Sequence, residues 1–271
     1  MLAILFPQIN PIIFEFSVFS VKWYGLSYVL GIAICLHFIG QFSSAKKITK
    51  NHIDSLSIYG IIGIILGGRL GYVTFYHPEW FITRPLMVLN TMEGGMSFHG
   101  ALIGITVGIF LFCKRYKLPF FYVTDLISTV APIGLFFGRI ANFINGELYG
   151  RVTNVSWGVI FPNTDGMPRH PSQLYEAGTE GILLFLVMLW FFFKTNFSDQ
   201  NGRLTGLFLI GYSIARMAAE EYREPDLHIG YFMIRLWGDN LMQITTGQVL
   251  SLPMLIGGLL LIWKKKNVWN L

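Results

Sequence analysis

Apolar residues fall into seven long runs along this chain, near 18–41, 54–76, 96–113, 119–138, 174–193, 204–222 and 244–263. Each is long enough to cross about 30 Å of hydrocarbon. Each must do so as a helix, because lipid offers the backbone no hydrogen-bond partners. Glycines recur every four residues in the second run (Gly63, Gly67, Gly71) and in the third (Gly100, Gly104, Gly108). Small residues at that spacing predict two helix backbones in close approach. Between the fourth and fifth runs, residues 139–173 contain Pro162, Pro168 and Pro171 and predict an irregular cap with short strands around 155–161. Residues 223–243 form a second such segment. The pattern predicts an all-α polytopic membrane protein, one transmembrane domain over 1–271 with seven transmembrane helices and a small irregular cap between spans 4 and 5.

Composition sharpens this picture. Of 271 residues, 53% are hydrophobic and only 13% charged, against about a quarter charged in a soluble domain. The formal charge of +5 does not point to nucleic acid, because the basic residues form no aromatic-interleaved patch. They sit in short loops instead. Eleven (Lys46, Lys47, Lys50, Lys114, Arg115, Lys117, Lys194, Arg203, Lys264, Lys265, Lys266) gather on one side and five (Arg84, Arg151, Arg169, Arg223, Arg235) on the other. That asymmetry predicts a cytoplasmic C-terminus, an external N-terminus and a periplasmic cap. The opening MLAILFPQINPIIFEF has no basic segment and no small-residue cleavage site, so no cleaved signal peptide is expected. Cys35 and Cys113 lie in or beside apolar runs and give neither a disulfide framework nor a metal spacing.

Candidate chemistry comes from polar residues inside or at the ends of the runs, where charge is expensive and points to function. Lys22, Arg69, His99, Arg139, Glu176, Glu180 and Arg216 all map to the outer half-layer, with Asp125 the exception in the inner half. This segregation predicts a single polar cavity opening to the outer leaflet. The stretch GRIANFINGELYGR (138–151) supplies two arginines, two asparagines, a glutamate and three glycines to it. Arg139 presents a planar fork suited to phosphate or carboxylate, with a snorkelling arginine or a structural pair with Glu147 as the bland alternatives. Tyr212, Arg216 and Glu220 are four apart and share a helix face, so Arg216 and Glu220 could pair for structure alone. A pair deep in a span is poor value for stability, which favours function. His99, between glycines in GGMSFHGA, suits either an interfacial hydrogen bond or a general base. His170 reads as a loop residue, and Ser172 suits the N-cap of the fifth span. No His pair has metal-ligand spacing, and neither metal nor cofactor is expected.

Such a cavity suits anionic phospholipid headgroups. Two function classes follow: an enzyme acting on a phospholipid, or a phospholipid-binding transporter or flippase. The absence of repeats and of paired mid-membrane polar segments favours the enzyme. At this point the motifs themselves become informative. GRIANFINGELYGR resembles the signature of the prolipoprotein diacylglyceryl transferases, and the likeness continues in order through KWYGLSY (22–28), GGRLGY (67–72), GGMSFHGA (94–101), PRHPSQLYE (168–176) and GLFLIGYSIAR (206–216). The resemblance implies an enzyme of the bacterial cytoplasmic (inner) membrane that moves diacylglyceryl from phosphatidylglycerol to the lipobox cysteine thiol of a prolipoprotein. A thioether forms and glycerol phosphate leaves. The partners implied are the donor lipid, the acceptor's lipobox segment and the membrane. Residue by residue, it implies that Arg139 binds phosphatidylglycerol and that Asn142, Asn145, Glu147 and Gly150 are signature residues of the site. It further implies an essential Arg216, functional Tyr24 and Tyr212, and His99 as base or substrate organiser. Arg69 and Glu220, from their place in the polar layer, are added as substrate-binding candidates. Some relatives have histidine where this chain has Lys22 and tryptophan where it has Tyr149. The first difference implies that an imidazole is not required there.

Overall fold

The computed structural model describes residues 3–7, 9–16, 19–43, 48–91, 94–162, 164–224, 231–237 and 240–263. Among these, a long helical segment occupies each predicted run: α1 (Trp23–Phe42), α2 (Lys50–Tyr76), α3 (Phe98–Tyr116), α4 (Phe120–Ile144), α5 (Ser172–Lys194), α6 (Arg203–Glu220) and α7 (Thr246–Trp263). Four of them, α1, α2, α4 and α5, are long and apolar enough to cross a membrane. The other three run 18 or 19 residues. The chain is a mostly helical, multi-pass membrane protein. Large side chains such as Ile61, Ile65, Leu102, Leu186 and Leu259 stand exposed along these helices, an arrangement that suits hydrocarbon and would be an aggregation liability in water.

Three helix boundaries differ from the sequence pattern, each for a local reason. The first helix starts at Trp23 rather than near 18, because β2 (Ile12–Phe16) pairs antiparallel with β3 (Phe19–Lys22). The alternating IIFEF and FSVK segments satisfy their backbones across that hairpin. The second starts at Lys50 because Thr49 caps it. The Thr49 hydroxyl accepts the His52 N–H, and His52 Nδ1 accepts the Thr49 N–H, a reciprocal capping box. The fourth runs six residues past the expected 138, so GRIANFI is helical and stops where Gly146 takes a positive φ of 65°.

Short strands complete the structure. A parallel pair joins β1 (Ile4–Leu5) to β4 (Val159–Ile160), the latter inside the expected 155–161 strand region. β5 (Tyr231–Trp237) and β6 (Asn240–Thr245) form an antiparallel hairpin within the second irregular segment. The rest of that segment, residues 225–230 and 238–239, lies outside the described residues, as do Lys46, Lys47, Lys264, Lys265 and Lys266 of the charge count.

Contacts gather the chain into two compact units, one built from residues up to Cys35 and from Ile127 onward, the other from Leu36–Leu126. In the second unit α2 and α3 pack through their glycine faces. A Cβ on Gly63, Gly67, Gly100 or Gly104 would overlap backbone atoms of the facing helix, so this approach requires glycine. In the first unit Leu184, Met188 and Leu204 form an apolar core against which Phe208 and Tyr212 pack.

Candidate active site

The first unit collects charge at one place. Helix α5 is α-helical over Ser172–Glu176 and then widens into a π-helical stretch, Ala177–Leu183. Wide turns of this kind recur at functional sites. Here Gly181 lets the helix lie directly against Phe136 of α4, where a Cβ would come 2.7 Å from the Phe136 side chain. Phe136 is three residues before Arg139, so this close approach sets the glutamates of α5 opposite that arginine.

Glu176 and Glu180 are fully buried. Arg139 Nη2 lies 2.6 Å from Glu176 Oε2 and 3.1 Å from Glu180 Oε2. Glu176 Oε2 also lies 3.0 Å from Arg216 Nη1 and 3.8 Å from Arg223 Nη1. Arg216 Nη2 bonds Glu220 Oε1, one turn further along α6. Three arginines thus face three glutamates, with Glu176 at the hub. Arg139 is not paired with Glu147, the structural alternative that the sequence left open, because Glu147 is occupied elsewhere. Its Oε1 accepts from Asn142 Nδ2 at 2.8 Å and from Asn145 Nδ2 at 3.4 Å. Among the described residues no acceptor is bonded to Nε or Nη1 of Arg139; both glutamates take Nη2, the nitrogen common to the two bidentate edges, so the donors left over are single ones.

Hydrogen bonds tie the signature segment to His170 and to the residues just past α6. Gly150 donates its N–H to the His170 carbonyl at 2.8 Å and pairs with Arg223 in an isolated β-bridge. A side chain there would collide with the Tyr222 and His170 carbonyls. Arg151 Nε donates to the Arg223 carbonyl at 2.9 Å. Arg169 reaches Asp165 at 3.0 Å and Glu224 at 3.1 Å, and stands over the Tyr149 ring. Its hydrogen bond holds the Asp165 carboxyl below the usual carboxylate range. Burial holds the His170 imidazole below its ordinary range, and His170 Nδ1 shares a 3.1 Å hydrogen bond with Tyr175.

The remaining candidates have distinct settings. Tyr24 is exposed near the start of α1, its hydroxyl 3.2 Å from that of Tyr28. Tyr212 precedes Arg216 by one turn and stacks on Phe208. Ser172 is not an N-cap. It is the first helical residue of α5, and its hydroxyl donates to the Leu148 carbonyl at 3.0 Å. Arg69 and His99 belong to the second unit. The Arg69 guanidinium is buried and donates to the carbonyls of Met87, Val88, Gly94 and Gly95, which secures the loop before α3. His99 is exposed in the first turn of α3, just after the Ser97 cap.

Residues 11–264 match the family model of the prolipoprotein diacylglyceryl transferases. The chain belongs to that family. A phosphatidylglycerol–prolipoprotein diacylglyceryl transferase of Rickettsia typhi is 51% identical over 265 residues, covering 95% of this chain and 97% of that protein. Proteins of the same name from Rickettsia bellii and Rickettsia felis are 51% and 49% identical, and each match covers at least 95% of either chain.

Of the arginine–glutamate cluster, Glu176 and Glu180 were expected in the polar cavity without an assigned role, and Arg223 was expected only as a loop residue. Their signal was present as spacing. Glu176 and Glu180 are four apart in an apolar run, and Arg216 and Glu220 are four apart on one face of α6, with Arg223 in the turn just beyond its end. What the sequence lacked was the pairing between α4, α5 and α6.

Proposed function

We propose that this protein transfers the diacylglyceryl group of phosphatidylglycerol to the lipobox cysteine thiol of prolipoproteins, the first step of bacterial lipoprotein maturation. The observation that carries the reading is the Arg139–Glu176–Arg216 arrangement, an arginine held at Nη2 with donors left over at Nε and Nη1. In the reaction the bond between diacylglyceryl carbon and phosphate oxygen breaks and a carbon–sulfur bond forms. The thiol proton leaves, and glycerol phosphate departs with added negative charge. Charge that grows on a leaving oxygen is best stabilised by donors that need not reorient. Glu176 and Glu180 hold Arg139 Nη2, so its Nε and Nη1 are oriented before the phosphate arrives.

Arg216, clamped between Glu176 and Glu220, extends the same positive field. Asn142, Asn145 and Glu147 recognise the headgroup, and Gly150 provides the flat junction behind them. Tyr212 and Tyr24 line the donor's approach. Arg69 contributes by holding the carbonyls of Met87, Val88, Gly94 and Gly95. A free thiol ionises near pH 8.5 and is only a few per cent thiolate at neutral pH, so a proton acceptor is needed, and His99 is the candidate as base or substrate organiser. The enzyme needs no cysteine of its own, because the acceptor brings the nucleophile.

This reading sets the protein in the bacterial cytoplasmic membrane, with seven spans, the N-terminus outside, the C-terminus in the cytoplasm and a periplasmic cap over 139–173. The test is direct. Purified protein given phosphatidylglycerol and a lipobox peptide releases glycerol phosphate in step with thioether formation. Lipid movement across liposomes with no covalent peptide product would instead identify a transporter.

A further inference from the structure

The turn that carries Glu147 is held by Asn142 and by two residues outside the expected site, Ser172 and Gln173. The Glu147 N–H donates to the Asn142 carbonyl at 3.1 Å. Its own carbonyl accepts from Gln173 Nε2 at 2.6 Å. The next residue, Leu148, has a left-handed φ of 56°, a conformation that costs a non-glycine residue of order 1 kcal/mol and persists only where the surroundings enforce it. The enforcing contact is the Ser172 hydroxyl on the Leu148 carbonyl. Ser172 and Gln173 are both buried, at 0% and 1% exposure. A buried amide is costly unless bonded, and the described residues offer Gln173 Oε1 no partner. The side chain is therefore retained for its one donor contact, which goes to Glu147.

We propose that Gln173, seconded by Ser172, is a positioning residue that sets headgroup selectivity. It fixes the Glu147 peptide from the carbonyl side while Asn142 fixes it from the N–H side. Glu147 can then hold its carboxylate against the amides of Asn142 and Asn145, where these three groups meet the hydroxyls of the donor headgroup. The inference rests on the transfer reading above. It adds that the first turn of α5 serves two purposes, locking the headgroup turn through Ser172 and Gln173 and holding Arg139 through Glu176.

The experiment compares two donors that share phosphate and acyl chains: phosphatidylglycerol and phosphatidylpropanol, whose headgroup lacks the two hydroxyls. Gln173→Met keeps the volume and removes the donor. Its kcat/KM should fall about tenfold on phosphatidylglycerol, the size of one lost hydrogen bond, mainly through KM, and less than about twofold on phosphatidylpropanol. Equal losses on both lipids, with unfolding temperature preserved or not, would overturn the proposal in favour of a purely structural lock. Gln173→Glu is the second variant. Only its protonated form can donate to the Glu147 carbonyl, so its activity on phosphatidylglycerol relative to wild type should rise as pH falls. A pH-independent ratio would also overturn the proposal. An inactive wild-type protein would instead refute the transfer reading itself, and this inference with it.

Discussion

Arg139 reads in the sequence as an ordinary span-end arginine, and its partners change that. A guanidinium held by two fully buried carboxylates cannot snorkel to the interface. Arg139→Ala is expected to lower turnover by two to three orders of magnitude, the usual consequence of removing a donor aimed at developing charge. Near-normal glycerol phosphate release by that variant would make Arg139 structural. Glu176→Gln has a different signature. It leaves Arg139, Arg216 and Arg223 facing one another with one counter-charge removed, and losing one member of a buried pair costs about 3 kcal/mol or more. We expect a lower unfolding temperature in detergent as well as lost activity. Arg139→Ala lowers that temperature too, but by leaving two buried carboxylates without their shared guanidinium rather than by crowding three arginines. His99 is tested through pH. If it is the base, His99→Gln loses the acid limb of the rate profile, and a variant with the wild-type profile would remove it from that role.

At the scale of elements, the two glycine faces and the segment around His170 carry the stability arguments. Gly104→Val inserts a β-branched side chain where even a Cβ overlaps the Gly63 carbonyl, so α2 and α3 must separate. The expected result is loss of folded protein on size exclusion, while Gly60→Val, at a position with open space around it, should be tolerated. The segment around His170 should respond to pH. His170 is held neutral by burial, so the unfolded chain takes up its proton first as pH falls below about 6.5. The stability that His170 contributes is therefore complete above that value and declines as pH drops toward the lowered folded pKa. Amide protection in residues around His170, measured as exchange corrected for the intrinsic pH dependence of the amides, is expected to fall below about pH 6.5 in wild type and to lose that dependence in His170→Gln. Helix positions were legible from apolar periodicity alone. Boundaries were not, because they depend on a capping box at Thr49, a hairpin before Trp23 and a glycine stop at Gly146.

At the scale of the molecule, orientation remains an expectation of the charge count, and a reporter fused after Leu271 is expected to fold and signal in the cytoplasm. A periplasmic signal from that fusion would reverse the topology. Sequence alone determined the class, the seven apolar runs, the family resemblance and most of the polar residues, because hydrocarbon imposes a one-dimensional rule on length and polarity. It also identified Arg139 and Arg216 as residues whose burial needs a reason. Which charges answer which was decided only by tertiary structure. Glu176 meets arginines 37 residues before it and 40 after it in the chain, and nothing local encodes such a pairing. Gly181 against Phe136, and Gln173 on the Glu147 carbonyl, are likewise products of helix packing. A periodicity reports which face of a helix is polar, and only the packed fold reports what that face meets.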